Sequence, residues 1–255
     1  MLSAEQIDFF NRDGYLLVPS FEESAVCDQM LKELQKAVDE DHANCPSVFD
    51  ASMVHNCFLR GKFMLALLSN PNLRQATDAL LCKNAIIYAY QSSSLQPGRG
   101  NYGSRVHVDS PRFIPGYRTN LGFILALHSF TKDNGGTWVL PGSHLAEYIP
   151  DLSEFKEDAI QLTCKSGDAI FFDGRLVHRA GENYSSQWRH AVTINFCRPF
   201  MRSRFDFPKM LTQLPWVKDL DASARKFLGF DVRMPTSLAE FYLPLKERFY
   251  LPNQE

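Results

Sequence analysis

The chain has 255 residues, 45% of them hydrophobic and 22% charged, the balance of a soluble globular protein with enough length for one β-rich domain or two smaller ones. A formal net charge of −2 gives no electrostatic reason to expect nucleic acid or an anionic membrane as partner. No apolar run approaches the length of a bilayer span.

The opening MLSAEQIDFFNRDGY is polar and acidic and resembles neither a signal nor a transit peptide. The six cysteines are scattered, with no CxxC, and read as reduced, mostly buried thiols in a cytoplasmic protein. Ser3 and Gln6 make a capping box ahead of Ile7, Phe9 and Phe10, and Gly14 ends that helix. Ser24 opens a second helix, in which Val26, Met30, Leu31, Leu34 and Val38 recur at helical spacing. Asn70-Pro71 predicts the N-cap and first position of a third, running to about Leu81.

From Asn84 the pattern changes to short β-branched and aromatic runs: AIIYAY, SRVHVD, LGFILALHSF, GTWVLPG, AIFFDG and RHAVTINF. Gln96-Pro-Gly, Asp133-Asn-Gly-Gly, Pro141-Gly-Ser and Ser166-Gly-Asp punctuate them. Many short strands with Gly/Pro turns predict a jelly roll or barrel. Nothing divides the chain, so a single domain is expected: residues 1–83 a mostly helical flank, 84–200 the β-core, 201–255 an extension packed on it.

Within the core, His107-Val108-Asp109 carries the chemistry. On a strand, alternate side chains share a face about 7 Å apart, so one imidazole and one carboxylate point together. His178 follows far enough along to return on another strand of the same sheet or barrel, with Arg189 about one hairpin later. Two histidines and a carboxylate suit Fe(II) and leave coordination positions open. A 2-oxo acid can chelate there, O2 can take the last position, and an arginine fork suits the distal carboxylate of such a co-substrate. If Arg189 points inward on the strand from Trp188 to Cys197, so do Ala191, Thr193 and Asn195, while His190 faces out. Read alone, His107 and Asp109 fit a surface strand pair equally well, and Arg189 a structural ion pair. His128 reads as a packed core histidine, and His144 as hydrogen-bonded at its Pro-Gly-Ser-His turn. Gly98–Gly103 matches GxGxxG without the strand–turn–helix context of a dinucleotide site. Asn183-Tyr-Ser is a formal glycosylation sequon. The arginines at 198, 202 and 204 read as a solvated edge that could greet an anionic substrate.

HVD (107–109), NGGTWVLPGSH (134–144), SGDAIFFDGRLVHRAG (166–181) and Arg189, with the opening QIDFFNRDGYLLVPSF (6–21), resemble the phytanoyl-CoA dioxygenase family of Fe(II)/2-oxoglutarate oxygenases over most of the chain. The resemblance implies a mainly β protein with flanking helices around a double-stranded β-helix, a jelly-roll or cupin-like core. It implies His107, Asp109 and His178 as iron ligands, Arg189 as partner of the distal carboxylate of 2-oxoglutarate, and Gln91 as a further co-substrate contact. Halogenating relatives lack the carboxylate; Asp109 is present, which favours oxygen insertion, desaturation or rearrangement. The substrate expected is a small organic molecule, with succinate and CO2 as co-products. Asn101, Tyr102, Arg112 and Phe113, just before and after the HxD motif, are candidate substrate contacts at the cavity mouth. A cupin-type isomerase or hydrolase using another metal, or a silent binding module, remains an alternative. A nucleic-acid demethylase ranks below both for want of a basic face.

Overall fold

Ser3 and Gln6 close their capping box: the Ser3 hydroxyl accepts from the Gln6 N–H at 3.2 Å and the Gln6 side chain accepts from the Ser3 N–H at 2.8 Å. Helix α1 (Ala4–Asp13) then ends at Gly14, whose φ of 83° is a left-handed C-cap. A Cβ there would also strike the His144 ring. The computed structural model describes residues 2–44, 53–98, 100 and 102–247, without the side chains of residues 102 and 245.

Strand β1 (Tyr15–Val18) follows at once and pairs antiparallel with β6 (Ala169–Asp173). The flank expected to be helical therefore contributes an edge strand. Four consecutive apolar or aromatic residues have no alternation by which a strand could be recognised. Helices α2 (Ser24–Asn44), α3 (Lys62–Ala66) and α4 (Pro71–Leu80) follow. The Asn70 side chain caps α4 by accepting from the Asn72 and Leu73 N–H groups at 2.8 and 3.3 Å.

The β-core comprises β2 (Ile86–Leu95), β3 (Asn120–Ala126), β4 (Trp138–Val139), β5 (Ile160–Gln161), β6, β7 (His178–Arg179) and β8 (Arg189–Cys197), with helix α5 (Leu152–Asp158) before β5. Five strands form one antiparallel sheet in the order β1-β6-β3-β8-β2; three form a second, β5-β4-β7. The two sheets make the jelly roll. Alternation divides each central strand between two apolar clusters. Leu121, Phe123 and Leu125 of β3 and Val192, Ile194 and Phe196 of β8 pack on the helical side, with Phe10, Leu34, Met64 and Leu73. Ile124, Ala126, Ile170, Phe172 and Ala191 turn to the other face, with Val139 and Leu176. Gly122 sits opposite Phe172, and a Cβ there would lie 2.1 Å from the Phe172 ring. Beyond the core come α6 (Phe207–Leu211), α7 (Ala222–Phe227) and α8 (Leu238–Phe241); Phe207, Leu211, Ala224 and Phe227 join the helical-side cluster.

The run SRVHVD is not a strand. His107 forms one isolated antiparallel bridge, to His178, and Asp109 lies in a bend. The chain turns away to Ser110, whose N–H donates to Gly174 O at 2.8 Å, so no ladder continues. Five described cysteines are free thiols, with Cys45 outside the described residues. Burial pushes the Cys27 and Cys197 thiols up to about 12. No described helix is long and apolar enough to cross a membrane.

Candidate metal centre

The His107–His178 bridge is an exchange pair: each N–H donates to the other's carbonyl at 3.0 Å. Both imidazoles consequently rise on one side, with ring centroids 4.3 Å apart. Asp109 adds its carboxylate, with Oδ1 3.6 Å from His107 Nε2 and 4.0 Å from His178 Nε2. The donor atoms of these three side chains all lie within 4.8 Å of one another, the one such group among the described residues.

The surrounding hydrogen bonds suit ligation. His107 Nδ1 donates to Arg105 O at 2.7 Å and His178 Nδ1 to Leu176 O at 2.9 Å. These bonds assign both lone pairs to Nε2, the nitrogen turned toward Asp109. Burial, with the His107 ring alongside, pushes His178 down to about 4 against the pull of Asp109 and the Leu176 carbonyl; it is neutral, as a ligand must be, at ordinary pH. Phe172 backs it, ring centroids 4.8 Å apart. The outer oxygen of Asp109 accepts from Asn195 Nδ2 at 3.0 Å, and Asn195 Oδ1 accepts from Asn120 Nδ2 at 3.0 Å. Asn120 Oδ1 in turn accepts from Thr119 Oγ1, which lies 3.0 Å from Ser110 Oγ. The carboxylate is thus held by a polar chain anchored on β3 and β8. Reading alternate positions on β8 places Asn195 on the correct face; its bond to Asp109 depends on the bend after His107.

The three side chains line a cavity of about 230 Å³ with Gln91, Thr137, Phe172, Thr193, Asn195 and Arg204. Gln91 is therefore at the site, its Oε1 accepting from Arg204 at 2.8 Å. Arg189, the first residue of β8, is not among the residues lining this cavity. It is 1% exposed, its guanidinium sits 4.3 Å over the Phe130 ring, and Nε and one terminal nitrogen have no hydrogen-bond partner. Burial pushes its pKa down to about 10. A buried cation with unmade bonds suits the far carboxylate of a chelating dianion, and the donor set suits Fe(II).

The arginine cluster divides. Arg204 reaches this cavity, while Arg198 lines a second one and lies 4.1 Å over Tyr117. Phe113 belongs to that second cavity too, against Arg175, and the exposed Arg112 lines neither. Asn101 and the Tyr102 side chain lie outside the described residues. His190 faces away, as β8 alternation requires, bonded to Ser94 Oγ at 2.8 Å and stacked on Trp188. His144 is buried, but its bond runs to Asn11 O of α1 and not within its own turn. The sequon Asn183 is fully buried, donating to Leu95 O and Gln187 O.

The family profile described as phytanoyl-CoA dioxygenase (PhyH) matches residues 10–191. An uncharacterised protein of Mycobacterium tuberculosis is 30% identical over 193 residues, covering 73% of this chain and 70% of its own. Dioxygenase FUM3 of Gibberella moniliformis is 27% identical over 153 residues, 57% of this chain and half of its own length. The crystal structure of SnoK, a non-heme alpha ketoglutarate dependent carbocyclase from nogalamycin biosynthesis, superposes with a TM-score of 0.63 at 19% identity, covering 77% of this chain and 84% of that one; it shows the shared fold. The chain belongs to the phytanoyl-CoA dioxygenase family and is an oxygenase of the non-haem iron, 2-oxoglutarate-dependent class.

Proposed function

We propose that this protein oxidises a small organic molecule, by hydroxylation, desaturation or rearrangement, with conversion of 2-oxoglutarate and O2 to succinate and CO2. His107, Asp109 and His178 hold Fe(II), Arg189 pairs with the distal carboxylate of 2-oxoglutarate, and Gln91 lines the place where co-substrate and substrate meet. The bound iron and its co-substrate supply the oxidising power. The protein's own part is geometric and electrostatic. Nδ1 bonds keep both imidazoles in the ligating tautomer, Asn195 fixes the carboxylate, and Phe172 and Ile124 keep the inner wall apolar. The setting we propose is the cytoplasm, where the free thiols stay reduced.

The observation that carries this reading is the convergence of three donor atoms on one cavity; a buried arginine with unmade hydrogen bonds on β8, the strand that also carries Asn195, supports it. The alternative of a cupin-type isomerase or hydrolase leaves that arginine unexplained. The test is anaerobic loading with Fe(II) and 2-oxoglutarate, then oxygen and a metabolite pool. Mass spectrometry should find a compound gaining one oxygen or losing two hydrogens in step with succinate, and Asp109→Ala should abolish both. Full succinate production by that variant would remove Asp109 from the ligand set.

A further inference from the structure

Arg204 is the one arginine or lysine among the described residues lining the metal cavity, and Asp109 the one acid. Iron(II) on Asp109 would leave a single positive charge. A 2-oxoglutarate dianion with Arg189 would then bring the centre to neutrality, and Arg204 would stand uncompensated. The chain has built this arginine into place. The β2–β8 pairing shifts register between Ile87 and Ala89, a bulge that leaves Tyr88 without a partner across the ladder. The freed Tyr88 carbonyl accepts from the Arg204 backbone N–H at 2.8 Å, and Ser203 Oγ donates to Ile87 O at 2.8 Å. The guanidinium itself lies 5.3 Å over the Tyr88 ring and donates one N–H to Gln91 Oε1. Backbone, ring and amide thus fix its direction, and no described carboxylate forms an ion pair with it. A guanidinium so held has lost much of its rotamer freedom before any ligand arrives, and it presents fork geometry to an oxyanion.

We propose that Arg204, oriented by Tyr88 and Gln91, is the specificity-determining residue that selects a substrate bearing an anionic group, a carboxylate or phosphate, at the cavity mouth. This rests on the assignment of the cavity as the oxygenase site and adds the substrate class to it. Arg189 and Arg204 then divide the labour: the buried arginine takes the co-substrate and the exposed one takes the substrate.

The test compares phenylbutyrate with its uncharged primary amide, two probes of nearly equal shape, by anaerobic calorimetry on the Fe(II)-loaded protein with and without 2-oxoglutarate. The acid should bind roughly tenfold to a hundredfold tighter than the amide, the range of a charge-assisted hydrogen bond. Arg204→Gln should erase that preference and Arg204→Lys restore part of it, with 2-oxoglutarate affinity unchanged in both. Equal behaviour of acid and amide on the wild type, whether both bind or neither does, overturns the proposal. So does a preference that survives Arg204→Gln, or a loss that falls on 2-oxoglutarate instead. Failure of the wild type to bind 2-oxoglutarate at all would count against the metal-centre reading and would leave the acid–amide comparison standing.

Discussion

Replacing Arg189 by Met should make the ligand-free protein more stable while removing its response to 2-oxoglutarate. The guanidinium is 1% exposed, with Nε and a terminal nitrogen unsatisfied. Burial pushes its pKa down to about 10, only partly countered by Cys164. That shift corresponds to a cost of about 3 kcal/mol for keeping the charged form in the folded state. The cost is fully present below the folded value, hence at neutral pH, and fades as pH climbs above about 10. The contact with Phe130 at 4.3 Å returns about 1–2 kcal/mol as a desolvated cation–π interaction. Met keeps the length and flexibility of the stem and buries no charge. A net gain of about 1–2 kcal/mol, or roughly 2–8 °C in Tm, follows for a protein of this size. Scanning calorimetry with and without 2-oxoglutarate reads both effects. At a hundredfold excess over Kd the ligand should stabilise wild type by about 2.7 kcal/mol, and the variant hardly at all. A lower Tm for the ligand-free variant would mean that the buried guanidinium supports the fold, and an undiminished response to 2-oxoglutarate would mean that it does not hold the co-substrate.

Asn195→Ala leaves Asp109 intact but removes the amide bonded at 3.0 Å to its outer oxygen. Manganese(II) affinity, measured by titration calorimetry, should fall about tenfold to a hundredfold, and unchanged affinity would show that Asp109 orients itself. His190 is held near pKa 4 by burial, by His128 and by Arg189, against 6.5 for the unfolded side chain. A depressed histidine stabilises the fold above pH 6.5 and loses that contribution as pH falls toward 4, by about 2 kcal/mol at pH 5. Urea unfolding at pH 7 and pH 5 should show the difference shrink in His190→Gln, and an identical acid loss in both proteins would place the sensitivity elsewhere.

Much of this architecture is legible from local patterns because those patterns are local physics. The Ser3 capping box, the Asn70-Pro71 helix start and the strict alternation along β8 each depend on a few neighbouring residues. Alternation alone separates Arg189 from His190 and puts Asn195 toward the metal cavity. β1 escapes such a reading because Tyr15–Val18 has no polar–apolar alternation and is fixed by its pairing with β6, far along the chain. Phe113 and Arg112 mislead for a similar reason. Nearness to Asp109 in sequence says nothing about direction once the chain bends at Asp109 and Ser110 ties itself to Gly174. In the sequence Arg204 is one of three arginines on an edge that could greet an anion; what singles it out is the register shift at Tyr88, which offers its backbone a carbonyl.

The HxD motif does its work without the strand that spacing suggests. What places the two imidazoles together is a single exchange pair, His107 with His178, whose two hydrogen bonds set the register of both segments at one point. A slip of one residue on either side would turn an imidazole to the opposite face and separate the ligands. Little of the ladder energy of a long strand is available to resist such a slip, because His107 pairs alone and β7 has only two residues. Resistance comes from the flanks instead. Arg105 O and Leu176 O grip the Nδ1 atoms, Ser110 N–H holds Gly174 O, and β4 pairs Val139 with His178 from the other side. Asp109 itself lies in a bend, with its carboxylate 3.6 Å from His107 Nε2 and 4.0 Å from His178 Nε2. One exchange pair therefore sets the register of the metal site, and the short flanking bonds keep it.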